Sequence, residues 1–273
     1  MARIASLHIY PVKSCRGIDV ESTLITPTGP EWDRRWMIVD ANDRFITQRS
    51  HPRLATIATA IANGTLRLSA PGRPVLSVPR NHDGERRKVV IWSDSCRGID
   101  AGPVAAAWLS EYLEQALRLV RIDDAVPRHA DPEWVGPTPQ PVAFTDGYPL
   151  LLISQASLVE LNRRLRTPLP MNRFRPNVVI DGVPPHAEDA MALFCMDSIV
   201  LRGVKLCTRC STTTTDQYDG SRNADQEPLR TLETYRHDRK LKGVTFGQNC
   251  IVHTGVGERL RVGAELWIEP HQV

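Results

Sequence analysis

The chain has 273 residues. That is long for one compact core at about 150 residues per domain, so two domains are expected. A hydrophobic content of 41% and a charged content of 24% are ordinary for a globular protein. No run approaches the ~18 apolar residues of a membrane helix, and no membrane association is expected. Lys and Arg outnumber Asp and Glu by only 34 to 31. That excess is too slight for a nucleic-acid partner, so any anionic ligand must be met by local charge.

Met1 to Tyr10 alternates apolar residues without a cleavage site and reads as a first strand. Trp36 to Val39, the turn Asp40-Ala41-Asn42-Asp43, and Arg44 to Gln48 predict a hairpin. Asn63-Gly64 predicts a second, between Leu54 to Ala62 and Thr65 to Ser69, because Asn-Gly supplies the positive φ angles of a two-residue turn. Val104, Trp108 and Tyr112, continued by Leu109, Leu113 and Leu117, make one face of a helix. From Val126 to Val142 five prolines forbid both helix interior and sheet centre, which marks residues 126–142 as a connection between domains 1–125 and 143–273.

The second half opens with a helix near Ser154 to Leu165, in which Ser157 and Glu160 can form a capping box. Asn177 to Ile180, Ser198 to Leu201, Val204 to Leu206, Val244 to Thr254, Arg259 to Val262 and Leu266 to Ile268 read as strands. Arg202-Gly203 reads as a tight turn, and Pro228 as the first residue of a short helix. Many short strands with few helices imply a mostly β, α+β protein with closed or barrel-like sheets.

The sharpest local feature is Cys207-Thr208-Arg209-Cys210, flanked by Lys205 and followed by Ser211 to Thr215 and Asp216. A thioredoxin-like redox pair needs a helix after the second cysteine, and the threonines there are poor helix formers. Structural zinc needs four ligands, and no second Cys/His pair is present. Burial as small hydrophobes and metal binding by a thiolate stay open. Lys205 and Arg209 favour the thiolate, and a soft thiolate suits a redox-active centre. Cys15, Cys96, Cys195 and Cys250 read as packing residues, and six scattered cysteines without an export signal fit a reducing cytoplasm. His8, His51 and His186 lack ligand spacing.

Three further segments are basic: Tyr10-Pro11-Val12-Lys13-Ser14-Cys15-Arg16-Gly17, Asp33-Arg34-Arg35-Trp36, and Asn172-Arg173-Phe174-Arg175-Pro176-Asn177. The first can offer a charge and backbone donors to an anion. Taken singly, each also reads as a solvated turn or as an arginine stacked on a ring.

The order Tyr10 to Ser14, Asp33 to Trp36, Phe174 to Asn177, Cys207 to Cys210 with its threonines and Asp216, and Phe246-Gly247-Gln248 resembles the MOSC superfamily with its N-terminal MOSC-associated β-barrel domain. More narrowly it is similar to the mitochondrial amidoxime-reducing components and their bacterial relatives. The resemblance spans nearly the whole chain. It implies a smaller β-rich domain followed by a MOSC β-barrel, and a molybdenum cofactor (Mo-molybdopterin) whose metal is bound by the second cysteine of the segment, here Cys210. Lys13, Ser14, Arg34 and Arg175 fall on positions that hold the cofactor's anionic and polar parts, with Asn177 closing the same motif, while Thr208 and Arg209 line the approach to the metal. Asn177, Asp146, Gly147, Tyr148 and Asn249 complete the cofactor-binding set so implied, although Gly147 and Tyr148 follow Thr145-Asp146 where close relatives have hydroxyl residues and Asn249 stands where an aromatic can follow.

The activity so implied is reduction of a small N-hydroxylated substrate. No haem, flavin or iron-sulfur motif is visible in the chain, so an external electron-donor protein of reductase or ferredoxin type is expected. The chain ends at Val273 without the ferredoxin module of some relatives, and it lacks the membrane anchor of the mitochondrial ones. A cofactor carrier without turnover and a dithiol protein using Cys207 and Cys210 are the alternatives. Asp146 or Asp216 could orient a proton or the pterin, or each could form an Asx turn.

Overall fold

The computed structural model describes residues 1–270. Its largest feature is a closed barrel of seven strands, in the order Leu150–Ser154, Val178–Asp181, Ala2–Ile9, Glu265–Pro270, Met191–Met196, Ile199–Thr208 and Gly243–Thr254, which pairs back to Leu150–Ser154. Only the first two of these run parallel, and the helix Gln155–Arg164 makes the crossover between them that a parallel pair requires. Leu7, Leu152, Ile180, Phe194 and Leu201 fill the barrel. Phe174, Phe246 and the inner face of the helix form a second cluster.

The chain does not complete one unit before entering the next. Its first strand is a barrel stave, and Ser22–Thr26 pairs with Arg259–Arg261 near the other end of the sequence. The smaller unit begins at Trp36 with a four-stranded sheet ordered Trp36–Asp40, Leu117–Ile122, Asp94–Asp100, Arg86–Ile91. Beside it lies the meander Ala58–Ala62, Thr65–Ser69, Leu76–Pro79. Trp36, Leu54, Leu66 and Leu119 form their shared core with the helix Pro103–Leu113.

Asn63 and Gly64 take φ of 50° and 70°, the angles expected of the second hairpin. Several local expectations are corrected. The arm Arg44–Gln48 of the first hairpin shrinks to isolated bridges, because the Asp40 carboxylate takes the N–H groups of Asn42 and Arg44 and tightens the turn. The helix ends at Leu113, where Glu114 adopts a left-handed conformation, so Leu117 starts a strand instead. Ser154, not Ser157, caps the next helix, accepting from the Ser157 N–H at 3.0 Å, while Glu160 pairs with Arg164. Pro228 sits just before the helix Leu229–Glu233. Arg202-Gly203 is no turn, since Ile199–Thr208 is one strand. A Cβ on Gly203 would stand 2.6 Å from the Met191 carbonyl oxygen, so the glycine serves close backbone approach. Within 126–142, Arg128–His129 pairs with Pro141–Val142 around a short helix, Pro132–Val135, capped by Asp131.

A buried carboxylate ties the entry to the smaller unit to the barrel. Asp33, 1% exposed, accepts from the Tyr10 N–H at 2.8 Å, the Asn177 amide at 3.0 Å and the Arg34 guanidinium at 2.8 and 2.7 Å. Asn177 also donates to the His8 carbonyl and accepts from the Leu151 N–H and from Arg34. First strand, Asp-Arg-Arg segment and Phe-Arg-Pro-Asn segment are thereby locked together.

Asp33→Ala would strand Arg34 and the Tyr10 N–H, and is expected to cost about 3–5 kcal/mol in urea unfolding. Gly247 closes the barrel at φ 85°, where a Cβ would meet Ile153 Cγ1 at 2.6 Å and the Leu152 oxygen at 2.9 Å. Gly247→Ala is therefore expected to lower stability by about 2–4 kcal/mol, measured the same way.

Candidate functional site

Between the barrel and the smaller unit lies a cavity of about 520 Å³. The candidate cofactor residues all line it: Lys13, Ser14, Arg34 and Arg175 with Asn177; Asp146, Gly147 and Tyr148; Thr208, Arg209 and Cys210; and Asn249; Cys207 lines it as well. Most are delivered by the ends of barrel strands, while Arg34 lies in the loop before Trp36–Asp40 and Asn249 within Gly243–Thr254. Lys13 and Ser14 leave the first strand, Arg175 and Asn177 precede Val178–Asp181, and Thr208 to Cys210 leave Ile199–Thr208.

Backbone strain gathers here. Ser14, Arg34 and Arg175 have φ of 67°, 47° and 57°, a left-handed region that side chains with a Cβ seldom occupy. Surrounding bonds hold these angles. The Arg34 N–H donates to the Tyr10 carbonyl, and the Ser14 carbonyl accepts from Gln48 at 2.7 Å. Gln48 and Gln217 exchange two amide bonds, of 3.0 and 2.9 Å, across 169 residues of sequence.

The Arg34 and Arg175 guanidinium carbons lie 4.2 and 4.3 Å from the centre of the Tyr10 ring. Burial pushes the Tyr10 hydroxyl up to about 12, with both guanidiniums pulling against it. Arg175 is 8% exposed and donates to the Gln217 side chain at 3.1 Å. Among the described residues no carboxylate pairs with it. Burial brings its guanidinium down to about 10, the neighbouring Tyr10 opposing and Arg34 reinforcing the fall.

Lys13, 6% exposed, donates to the Phe144 carbonyl at 3.0 Å and to Asp146 at 2.6 Å. Burial lowers its pKa while Asp146 opposes the fall. Desolvation also works against the charge on Asp146, but the Lys13 ammonium prevails and holds the carboxyl well below its usual range. The Trp92 indole N–H adds a bond to the same oxygen at 3.1 Å, and Arg128 fixes the loop through the Ala143 and Thr145 carbonyls. Asp216, in contrast, forms a turn with Tyr218 and pairs with Arg173 at 2.7 Å, outside the cavity wall.

The two cysteines differ. Arg209 donates to the Cys207 sulfur at 2.9 Å and to the Phe174 carbonyl at 2.6 Å, and Lys205 lies over the Trp134 ring, so the cations expected to serve Cys210 are turned elsewhere. Burial raises the Cys207 thiol, with Arg209 opposing. Cys210 is half-buried on the cavity wall, at the start of the tight turn Ser211–Thr214 that its carbonyl nucleates. All six cysteines are free thiols. Asn177 is the other departure from expectation. Its carbonyl oxygen and both amide protons are committed within the protein, so it positions Arg34 instead of offering bonds to a ligand.

Thr47, Arg49 and Trp92 also line the cavity and carry no local signal in the sequence. Trp92, at φ 54°, is brought there by the turn between Arg86–Ile91 and Asp94–Asp100. Among the described residues no helix is long and apolar enough to cross a membrane.

The profile described as the MOSC N-terminal beta barrel domain matches residues 1–116, and that of the MOSC domain matches residues 139–267. The chain is 34% identical to the mitochondrial amidoxime-reducing component 1 of Homo sapiens, over 91% of its own length and 78% of the human protein. It is 35% identical to component 1 of Mus musculus over 85% of the chain and 71% of the mouse protein, and 34% identical to component 2 of Rattus norvegicus over 85% and 72%. The chain therefore belongs to the MOSC family, as a two-part member homologous to the amidoxime-reducing components.

Proposed function

We propose that the cavity holds a molybdenum cofactor, with the Cys210 thiolate as the protein's ligand to the metal, and that the loaded protein reduces small N-hydroxylated compounds. One observation carries the reading. A buried guanidinium without a carboxylate partner, Arg175, shares a wall with an accessible soft ligand, Cys210. A desolvated cation is costly unless a counter-charge arrives, and a phosphate-bearing pterin would supply one beside the thiol.

The donor set suits such a group. Arg34 and Arg175 sit side by side, and each charge-assisted bond to a phosphate contributes roughly 1.5–3 kcal/mol. Ser14, held in its unusual backbone by Gln48, and the exposed Thr208 add hydroxyls, while the buried Arg209 Nε has no partner among the described residues. The wall is open at Gly147, where a Cβ would meet nothing within 4 Å. Tyr148 and Asn249 complete the lining. Lys13, already neutralised by Asp146, contributes position more than free charge.

When bound, the cofactor supplies the two-electron chemistry at a sulfur-ligated metal. The net reaction consumes two electrons and two protons, breaks the N–O bond, and yields the amine or amidine and water. The protein's part is to fix the cofactor between the units, present the Cys210 sulfur, and keep Cys207 apart as a thiol bonded to Arg209. Electrons come from an external donor protein of reductase or ferredoxin type. The names of the relatives support the substrate class.

Protein made in a host that synthesises molybdenum cofactor should reduce benzamidoxime with a chemical or protein donor. Bound molybdenum without turnover would identify a carrier instead. Cys210→Ala should lose molybdenum and activity together, while Cys207→Ala should keep its metal; the reverse pattern would overturn the ligand assignment. Arg175→Ala should weaken cofactor retention about ten- to hundredfold, read as molybdenum per chain after dialysis.

A further inference from the structure

Two cations on the cavity wall are used neither by the fold nor by the proposed cofactor set. Arg49 and Lys205 line the cavity, and among the described residues neither forms an ion pair. The other basic residues there are engaged: Lys13 by Asp146, Arg34 by Asp33, Arg209 by Cys207 and the Phe174 carbonyl, and Arg175 by Gln217.

Both spare cations are held by aromatic rings. The Arg49 guanidinium carbon lies 4.4 Å from the centre of the Trp92 ring, and the Lys205 ammonium 4.2 Å from that of Trp134. A second ammonium, Lys240, stands 5.4 Å from the same Trp134 ring. An indole face orients a cation without neutralising it, so each stack restricts the side chain yet keeps its charge and N–H donors free. The rings are themselves placed by the fold. Trp92 is bonded to Asp146, and Trp134 sits in the short helix capped by Asp131. Six cations on the wall face two carboxylates, Asp146, bound by Lys13 and Trp92, and Asp131, which keeps its charge while accepting from the Glu133 N–H. The mouth is thus left with an excess of oriented positive charge, which raises the local concentration of anions and repels cations.

We propose that Arg49 and Lys205 form an anion subsite that selects N-hydroxylated substrates carrying a carboxylate or phosphate group. The proposal rests on the reductase reading of the cavity. A phosphate on the cofactor's own tail has the same chemistry, and an acidic donor protein could meet the same charges, so the test separates these sources.

With a chemical reductant, 4-carboxybenzamidoxime and benzamidoxime are compared in the parent protein and in Arg49→Gln/Lys205→Gln, which removes both charges and keeps polar side chains. The ratio of kcat/KM for the carboxylated over the neutral substrate should fall about tenfold in the variant, mainly through KM, and the parent's preference should shrink as salt is raised. Quenching of tryptophan fluorescence by 4-carboxybenzamidoxime reports binding without turnover. Its half-saturation should shift upward by a similar factor, a result that would stand even if reductase activity failed. An unchanged ratio and unchanged quenching would overturn the subsite. So would a fall in bound molybdenum or pterin without substrate discrimination, which would assign the charges to the cofactor. A defect confined to assays with a protein donor would assign them to docking and overturn the subsite equally.

Discussion

The Asp33 carboxylate is where the beginning, the middle and the barrel of this chain are made to agree. A buried carboxylate must be fully hydrogen-bonded to be tolerated, and here the donors come from Tyr10, Arg34 and Asn177, on three separate segments. Once those bonds are made, the exit of the first strand, the strained backbone at Arg34 and the start of the strand Val178–Asp181 have no freedom left relative to each other. The cavity is a consequence: it is the space left between the loops that leave these strands.

The interleaved path of the chain reinforces that constraint. Because the first strand is a barrel stave and the residues from Trp36 to Ile122 build the smaller sheet, the smaller unit is an insertion tethered to the barrel at both ends. Tyr10 turns the corner. Its ring supports two guanidiniums while its hydroxyl donates to the Pro176 carbonyl at 3.0 Å. The resulting wall is unusually basic for a protein whose overall charge is nearly balanced, in keeping with local rather than global recognition of an anion.

Much of the site is legible in the sequence because its residues are chemically improbable where they stand. Arginines beside aromatics at strand starts, a proline after the first strand and two cysteines in a basic segment all depart from ordinary β patterning, and the fold brings them around one cavity. The barrel follows from many short apolar runs. What stays hidden is set by distant partners. The amide exchange between Gln48 and Gln217, and the arrival of Arg49 and Trp92 at the cavity, join residues that share no local pattern. The direction of Arg209, toward Cys207 and away from Cys210, is likewise fixed by the Phe174 carbonyl across the cavity. Gly203 misleads for a related reason, since a glycine demanded by a neighbouring strand reads as a turn when its neighbour is unknown.

The asymmetry between the two thiols is the chemical core of the account. Both line the cavity, but the Cys207 sulfur is bonded to Arg209 and burial pushes it toward its neutral form, whereas Cys210 starts a tight turn and leaves its sulfur without a hydrogen bond among the described residues. X-ray absorption at the molybdenum edge tests this most directly, on loaded parent protein and on Cys210→Ser and Cys207→Ser. The account predicts that Cys210→Ser exchanges one sulfur neighbour of the metal for an oxygen and that Cys207→Ser matches the parent. An unaltered sulfur shell in Cys210→Ser, with the exchange seen in Cys207→Ser, would contradict it.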